Sequence, residues 1–305
     1  MVETYRHSGR IGGLGIPVML IAGICSAFVL GVVYSYVLAW IPIIYVSFLA
    51  TGGFGAGLGL VVGWSSRAAH VRNTMITGII GLFTGLLGMY VAWAFDGMAR
   101  FGGEDVTVMF NPLLLSDYIS FFYENGFWGL GRGNANATVS GIPLALIWLV
   151  EGGVVVGLSF VLSTGFAADH PYCEECGRWT DRTEGFCKLM PPTDNPTSIE
   201  QLCSGDLTTL SQFQRSPEDA AAFVRIDTAE CPDCDQCSCV TISLAKITVD
   251  KDGKESTDTQ ALVTNMLITG SDMEQLRHTV DQLEVATLSE PDSADEESEV
   301  NAELT

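Results

Sequence analysis

The sequence predicts a membrane-embedded, all-α four-helix bundle in its N-terminal half. A small, cysteine-rich α+β domain follows and ends in a disordered acidic C-terminus. Three observations lead there. Four apolar stretches fill the first 165 residues, each long enough for a helix to cross a hydrocarbon core of roughly 30 Å. The charge is lopsided. The chain of 305 residues holds 15 Lys and Arg against 36 Asp and Glu, a net charge of −21, yet residues 1–165 carry only six of those bases and seven of those acids. Eight of the nine cysteines follow the last apolar stretch. A mean hydropathy of +0.30 with this acidic balance excludes a single soluble globule and a basic surface for nucleic acid.

Residues 1–14 form a short leading segment, and residues 15–165 the membrane domain. Its spans run Gly15–Val37, Ile41–Val62, Thr74–Phe95 and Gly141–Leu162. Pro17 and Pro143 fall in first turns, where a missing N–H costs nothing. Pro42 follows Trp40 in a very short link, so the first two spans form an antiparallel hairpin. The apolar run behind Arg6, His7 and Arg10 is too long for a cleaved signal peptide and lacks a small-residue cleavage site. Cys25 then reads as a small core residue. Glycines recur four apart at Gly53/Gly57, Gly55/Gly59/Gly63, Gly81/Gly85 and Gly153/Gly157. Small residues at that spacing let helix backbones approach closely where lipid supplies no hydrophobic drive.

Arginine placement sets the orientation. Arg6, Arg10, Arg67, Arg72, Arg178 and Arg182, with Lys188, fall on one side of a four-span topology, so both termini are expected in the cytoplasm of a multi-pass protein of the cell membrane. The outer loop, residues 96–140, contains a helix opened by Asn111-Pro112 and stopped by Gly126. It is too short and too charged to span, which suits an interfacial helix with Trp128 as an aromatic anchor. Glu151 reads as the one ionisable group inside the spans. An acid there costs about 3 kcal/mol on insertion scales, so it has a partner or a task. Either it clasps helices through a hydroxyl such as Tyr34, Tyr90 or Thr84, or it serves as a proton or cation site.

Residues 166–288 hold the cysteines. In a reducing compartment, metal ligation is favoured over disulfides. The first cluster is Cys173-Glu-Glu-Cys176-Gly177 and the second Cys231-Pro-Asp-Cys234. Two thiolates two apart grip one ion, and Gly177 permits the left-handed turn that aims N–H groups at sulfur. Cys187, Cys203, Cys237 and Cys239 are alternates, able to form a second site or replace members of the first. Around them the pattern is mixed. Thr197 with Glu200, and Ser271 with Glu274, have capping-box spacing. Ser216-Pro217 opens a short helix through Ala222. Phe223–Asp227 is a strand. Val240, Ile242 and Leu244 alternate until a bulge near Lys246. Asp250–Gly253 turns the chain, and Ala261–Ile268 returns it. A last helix presents Met273, Leu276, Val280 and Leu283 on one face. Residues 289–305 are acidic and disordered.

The two knuckles resemble those of a zinc ribbon, Cys-x2-Cys-Gly in one hairpin and Cys-Pro-x-Cys in the other. They depart from that pattern in being over fifty residues apart and in having Asp235 where the second glycine would stand. The whole is similar to uncharacterised bacterial multi-span membrane proteins with a cytoplasmic Cys-knuckle tail. The resemblance implies structural Zn2+ held by Cys173, Cys176, Cys231 and Cys234. No phosphate loop, dinucleotide fingerprint, nucleophile elbow or His-Glu-x-x-His occurs, so no enzymatic activity is expected. The expected function is a membrane-anchored interaction or scaffold protein, bound to the bilayer and to protein partners or a second copy of itself. A transporter or channel component using Glu151, and a thiol redox sensor, are the alternatives.

Overall fold

The computed structural model describes residues 3–41, 44–101, 110–126, 128–130, 137–168, 170–190, 197–217, 220–251 and 255–286. The chain divides into two units, His7–Asp169, and Met1–Arg6 together with His170–Thr305.

The first unit contains α1 (Gly15–Trp40), α2 (Ile44–Ala68), α3 (Thr74–Phe101) and α5 (Ile142–Ala168), all long and apolar enough to cross a membrane. Helices α1 and α5 each pack along both α2 and α3, so the consecutive α2 and α3 face each other across a diagonal. The glycines decide how closely. A Cβ added at Gly55 would lie 2.8 Å from the Val155 backbone on α5, and one at Gly59 would lie 2.9 Å from the carbonyl oxygens of Leu158 and Ser159. Gly81 and Gly85 meet Ser159 and Val156 in the same way. Gly53, Gly153 and Gly157 have nothing within 4 Å and seat no neighbouring helix, whereas a Cβ at Gly57 would lie 3.0 Å from the Leu30 side chain of α1. Hydroxyls add cross-links: Ser35 Oγ donates to Ala92 O at 2.7 Å, and Ser159 Oγ to Gly55 O at 3.1 Å. Large side chains such as Leu49, Val29, Phe83 and Leu149 point outward, as on a bundle solvated by lipid. Cys25 is among the outward residues, not in the core as its small size suggested.

All four long helices run past the expected ends of their spans, and one extension takes in charges. Helix α3 continues through Phe101, so Asp96 and Arg100 belong to it rather than to the loop. The charge is tolerated because Arg100 Nε donates to both Asp96 carboxylate oxygens, at 3.0 and 2.9 Å, one turn along the same helix. The loop helix α4 (Pro112–Asn125) starts and stops where expected. Asn111 Oδ1 accepts from the Leu113 N–H at 3.0 Å, and Gly126 takes φ +91°. Beyond it, β1 (Trp128–Leu130) pairs antiparallel with β2 (Ala137–Val139). The side chain of Trp128, expected as an anchor, lies outside the described set.

The second unit is built on an antiparallel five-stranded sheet in the order β6-β5-β7-β8-β9: β5 (Asp181–Met190), β6 (Gln214–Arg215), β7 (Ala222–Glu230), β8 (Ser238–Val249) and β9 (Glu255–Ile268). A two-stranded hairpin, β3 (Tyr172–Cys173) with β4 (Arg178–Trp179), precedes it. Helices α6 (Thr197–Cys203) and α7 (Gly270–Gln282), with a 3-10 turn at Leu207–Gln212, cover one face. Leu189, Leu202, Leu210, Ile226, Ile242 and Leu276 are fully buried there. Helix α7 buries Met273, Leu276 and Val280, with Leu283 packed beside them, as its spacing required.

Local details shift. The helix expected through Ala222 does not reach it, because Ala222 already pairs with Lys246 as the first residue of β7; Glu218 and Asp219 lie outside the described residues. The bulge expected near Lys246 lies elsewhere, since β8 and β9 change register between Val240 and Ser243. Beyond Lys246, β8 is no longer flanked by β7, and its alternation relaxes without an inserted residue. The last cap is Thr269 with Asp272, not Ser271 with Glu274. Thr269 Oγ1 accepts from the Asp272 N–H, and Asp272 returns a contact to the Thr269 N–H. The turn at 252–254 and the acidic run from 287 onward lie outside the described residues.

One pairing had no local signature. Thr4 bridges Met266 on β9, the Leu267 N–H donates to Glu3 O at 2.9 Å, and the Tyr5 N–H to Asn265 O at 2.8 Å. Asn265 lies at φ +49°, where β9 bulges against Thr241. The extreme N-terminus therefore belongs to the same unit as the C-terminal sheet.

Candidate metal centre

Two hairpin tips bring the cysteines together. Between β3 and β4, Gly177 takes φ +67° and donates its N–H to Cys173 O at 2.9 Å, as the Cys-x2-Cys-Gly pattern demands. The N–H groups of Cys176 and Glu175 point at the Cys173 sulfur. Between β7 and β8, the Cys231 N–H donates to Cys237 O at 3.0 Å and closes the second tip. The Gln236 N–H points at the Cys234 sulfur. Asp235 is not left-handed, so this tip does not need the glycine that the ribbon pattern leads one to look for. Arg178 Nη1 joins the tips by donating to both carboxylate oxygens of Asp233, at 3.0 and 2.8 Å.

The Sγ atoms of Cys173, Cys176, Cys231 and Cys234 all lie within 4.8 Å of one another, and Cys173 and Cys234 are 3.6 Å apart. A tetrahedron with metal–sulfur bonds of about 2.3 Å has sulfur–sulfur edges of about 3.8 Å. The group therefore has the size of a four-thiolate cage and can hold a metal ion. Cys173 and Cys231 are buried, and Cys176 and Cys234 half-buried. Their acidities are split. The Gln236 N–H lowers the Cys234 thiol, burial raises Cys173, and Cys176 is raised because it donates toward Cys234. Four adjacent thiols cannot all ionise alone, so a bound cation expels protons from them.

The alternates stand apart from this group. Cys237 packs against Cys173 and Cys231 without joining the four, and its thiol is hydrogen-bonded to that of Cys239, which is 1% exposed. Cys187 lies in the sheet core, and Cys203 closes α6 beside it. His170 does not enter the cluster. Sequence reasoning missed two supports of the tips: the Arg178–Asp233 pair, and Tyr5, whose hydroxyl accepts from the Tyr172 N–H at 3.0 Å and donates to Tyr172 O at 3.3 Å. Burial pushes the Tyr5 phenol up to about 12.

Glu151 is 9% exposed, and among the described residues it has no hydrogen-bond partner. The three hydroxyls proposed for it are engaged with other groups. Tyr34 bonds Thr51 at 3.0 Å, Tyr90 donates to Phe110 O at 2.6 Å, and Thr84 faces Gly23. Glu151 instead lines a small cavity together with Asp96.

No protein-family model matches this chain, and comparisons with curated proteins and with solved structures return no match. Class and function must therefore come from the site: a protein with four apolar helices and a four-cysteine cluster able to hold a metal ion.

Proposed function

We propose that the protein is a membrane-anchored interaction or scaffold protein, whose cytoplasmic domain is clasped by one structural Zn2+ on Cys173, Cys176, Cys231 and Cys234. The observation that carries the reading is the convergence of four sulfurs from two separate hairpin tips within 4.8 Å. A tetrahedral set of four thiolates is the ligand chemistry of zinc or of iron–sulfur centres, and four ligands leave no open position for a reacting molecule. Zinc is the ion this reading assigns, because the second tip's Cys237 and Cys239 are only two apart and do not meet a ferredoxin spacing. The domain is zinc-ribbon-like in this clasp, and the reading gives it no reaction. Four spans would fix the domain at the inner face of the cell membrane, where protein partners or a second copy would meet it.

The test is metal analysis of the full-length protein purified in detergent. One zinc per chain, with the four cluster thiols resistant to alkylation until a chelator is added, supports the reading. Iron, two zinc ions or a metal-free protein with unchanged protease resistance overturns it. Cys237 and Cys239 give the redox alternative a foothold. Rapid Cys237–Cys239 disulfide formation with zinc still bound would favour it.

A further inference from the structure

The bundle holds a feature that neither the metal cluster nor anchoring explains. The cavity beside Glu151 has a volume of about 30 Å3, more than one water needs, and is lined by Glu151, Asp96, Tyr34, Ser35, Trp93 and Trp148 among others. Its position is consistent along three helices. At ~1.5 Å per residue, Glu151 lies about 13 Å from the start of α5, Asp96 about 8 Å before the end of α3, and Tyr34 about 9 Å before the end of α1. All three therefore belong to the half of the bundle bordered by the α1–α2 link and the loop that carries α4.

The two acids differ in one respect. Asp96 is compensated: Arg100 grips both of its oxygens, and Tyr118 on α4 donates to one of them at 2.7 Å. Burial, and the Asp96 charge beside it, push the Tyr118 phenol up, so it stays a donor. Glu151 is nine-tenths buried and has no partner among the described residues. With Asp96 and Arg100 cancelling, the lining is one positive charge short whenever Glu151 is ionised. A bare carboxylate in a hydrocarbon-bounded site costs several kcal/mol, and a single added positive charge removes that cost. The lining favours the smallest such charge. Trp93 and Trp148, with ring centroids 5.0 Å apart, occupy much of the wall. The Ser35 hydroxyl proton already points to Gly31 O and Ala92 O, and Tyr34 is tied to Thr51. Too few free oxygens remain to replace the water shell of a metal cation, whereas a proton needs only Glu151.

We infer that this cavity is an exchangeable proton-binding site, with Glu151 as the acceptor and the Asp96–Arg100–Tyr118 group as a fixed, charge-neutral wall. The groups that face Glu151 and can titrate or carry charge are Tyr34 on α1 and Asp96 on α3; Arg100 on α3 and Tyr118 on α4 stand behind Asp96. Among the described lining residues, α2 contributes none.

The experiment is a pH titration of the full-length protein in lipid nanodiscs, read by infrared difference spectroscopy in the carbonyl-stretch region of protonated carboxylic acids. The expected result is a band that grows as pH falls, shifts on transfer to heavy water, persists when sodium replaces potassium, and is lost in Glu151→Gln. A band that sodium suppresses makes this a cation site and overturns the proton assignment. A band constant at every pH and unmoved by heavy water, or no band at all, overturns exchange. Where Glu151→Gln does not assemble, Glu151→Asp keeps a carboxyl one methylene shorter. It must move the midpoint of the band, and an unmoved midpoint assigns the band elsewhere and overturns the inference.

Discussion

Gly59→Ala and Gly53→Ala make the same chemical change at two positions of α2, yet they should have opposite effects. Alanine exceeds glycine in helix propensity by about 1 kcal/mol, and Gly53 has nothing within 4 Å of an added Cβ, so that variant should gain about this amount. At Gly59 the same methyl would sit 2.9 Å from two carbonyl oxygens and 3.0 Å from the Ser159 Cα, all backbone atoms of α5. Ordinary carbon contacts lie at about 3.5 Å or more, so the helices must part by about half an ångström. Overpacking of this kind costs about 1–3 kcal/mol. The two variants should then differ by about 2 kcal/mol, roughly 30-fold in the unfolding equilibrium. Titration of the purified protein in mixed micelles with a denaturing detergent, followed by tryptophan fluorescence, measures the difference. Equal stability of the two variants would refute the claim that the Gly55–Gly59–Gly63 stripe is the α2–α5 seam.

Further predictions concern the second unit. Cys176→Ser, or chelation, should unfold the cysteine domain and leave the bundle intact, because metal coordination supplies ~10–16 kcal/mol in small zinc domains and whole domains are stable by only ~5–15; limited proteolysis and amide exchange report it. Asp227 is 5% exposed and accepts from Arg225 at 2.7 Å and from the Gly185 N–H at 2.6 Å, with Arg182 at 3.6 Å. Asp227→Ala removes a buried acceptor shared by two arginines and the Gly185 N–H, while Arg225 keeps Glu184 at 3.0 Å, and should cost about 1–3 kcal/mol in chemical denaturation; a loss below about 0.5 kcal/mol would show that the network is not holding β5, whose register against β7 shifts between Thr183 and Cys187. Tyr5→Phe removes both bonds to Tyr172 and should cost about 1 kcal/mol, with faster exchange of the Tyr172 amide. Because burial raises the folded phenol from 10.0 to about 12, the contribution of Tyr5 is complete below pH 10 and is lost as pH climbs through 12. Alkaline melts of Tyr5→Phe should lack that component.

Features encoded locally were readable in the sequence. Apolar length located the four helices, Asn111 and Gly126 bounded α4, and Gly177 announced the first tip through the one φ that glycine tolerates best. The misses have physical causes. Asp96 looked like the end of an apolar window; its neutralisation by Arg100 four residues on was visible, but only as a pair, and a scan for apolar length discards both members. Thr269-x-x-Asp272 satisfies the capping rule as well as Ser271-x-x-Glu274, and two overlapping candidates cannot be ranked without knowing where α7 meets the sheet. Ala222 was drawn into a helix by Ser216-Pro217 and the acids behind it, whereas pairing with Lys246 makes it a strand, a tertiary contact overriding local propensity. The glycine repeats gave correct spacing but not the facing partner, so Gly153 and Gly157 looked like Gly55 and Gly59. At the cysteines, spacing left two ligand sets open. The meeting of the tips depends on the register of β7 with β8, which no short motif records.

The pairing of residues 3–5 with β9 has a consequence for biogenesis. Backbone hydrogen bonds cannot reach across a bilayer, so residues 3–5 and β9 must share one side of any membrane that the four apolar helices cross. Residues 3–5 also wait for a strand that is made much later. About 260 residues separate Glu3 from Leu267, or about 10–50 s of synthesis at ~5–20 residues per second. Closure of this edge thus requires that residues 3–5 and β9 have reached the same compartment.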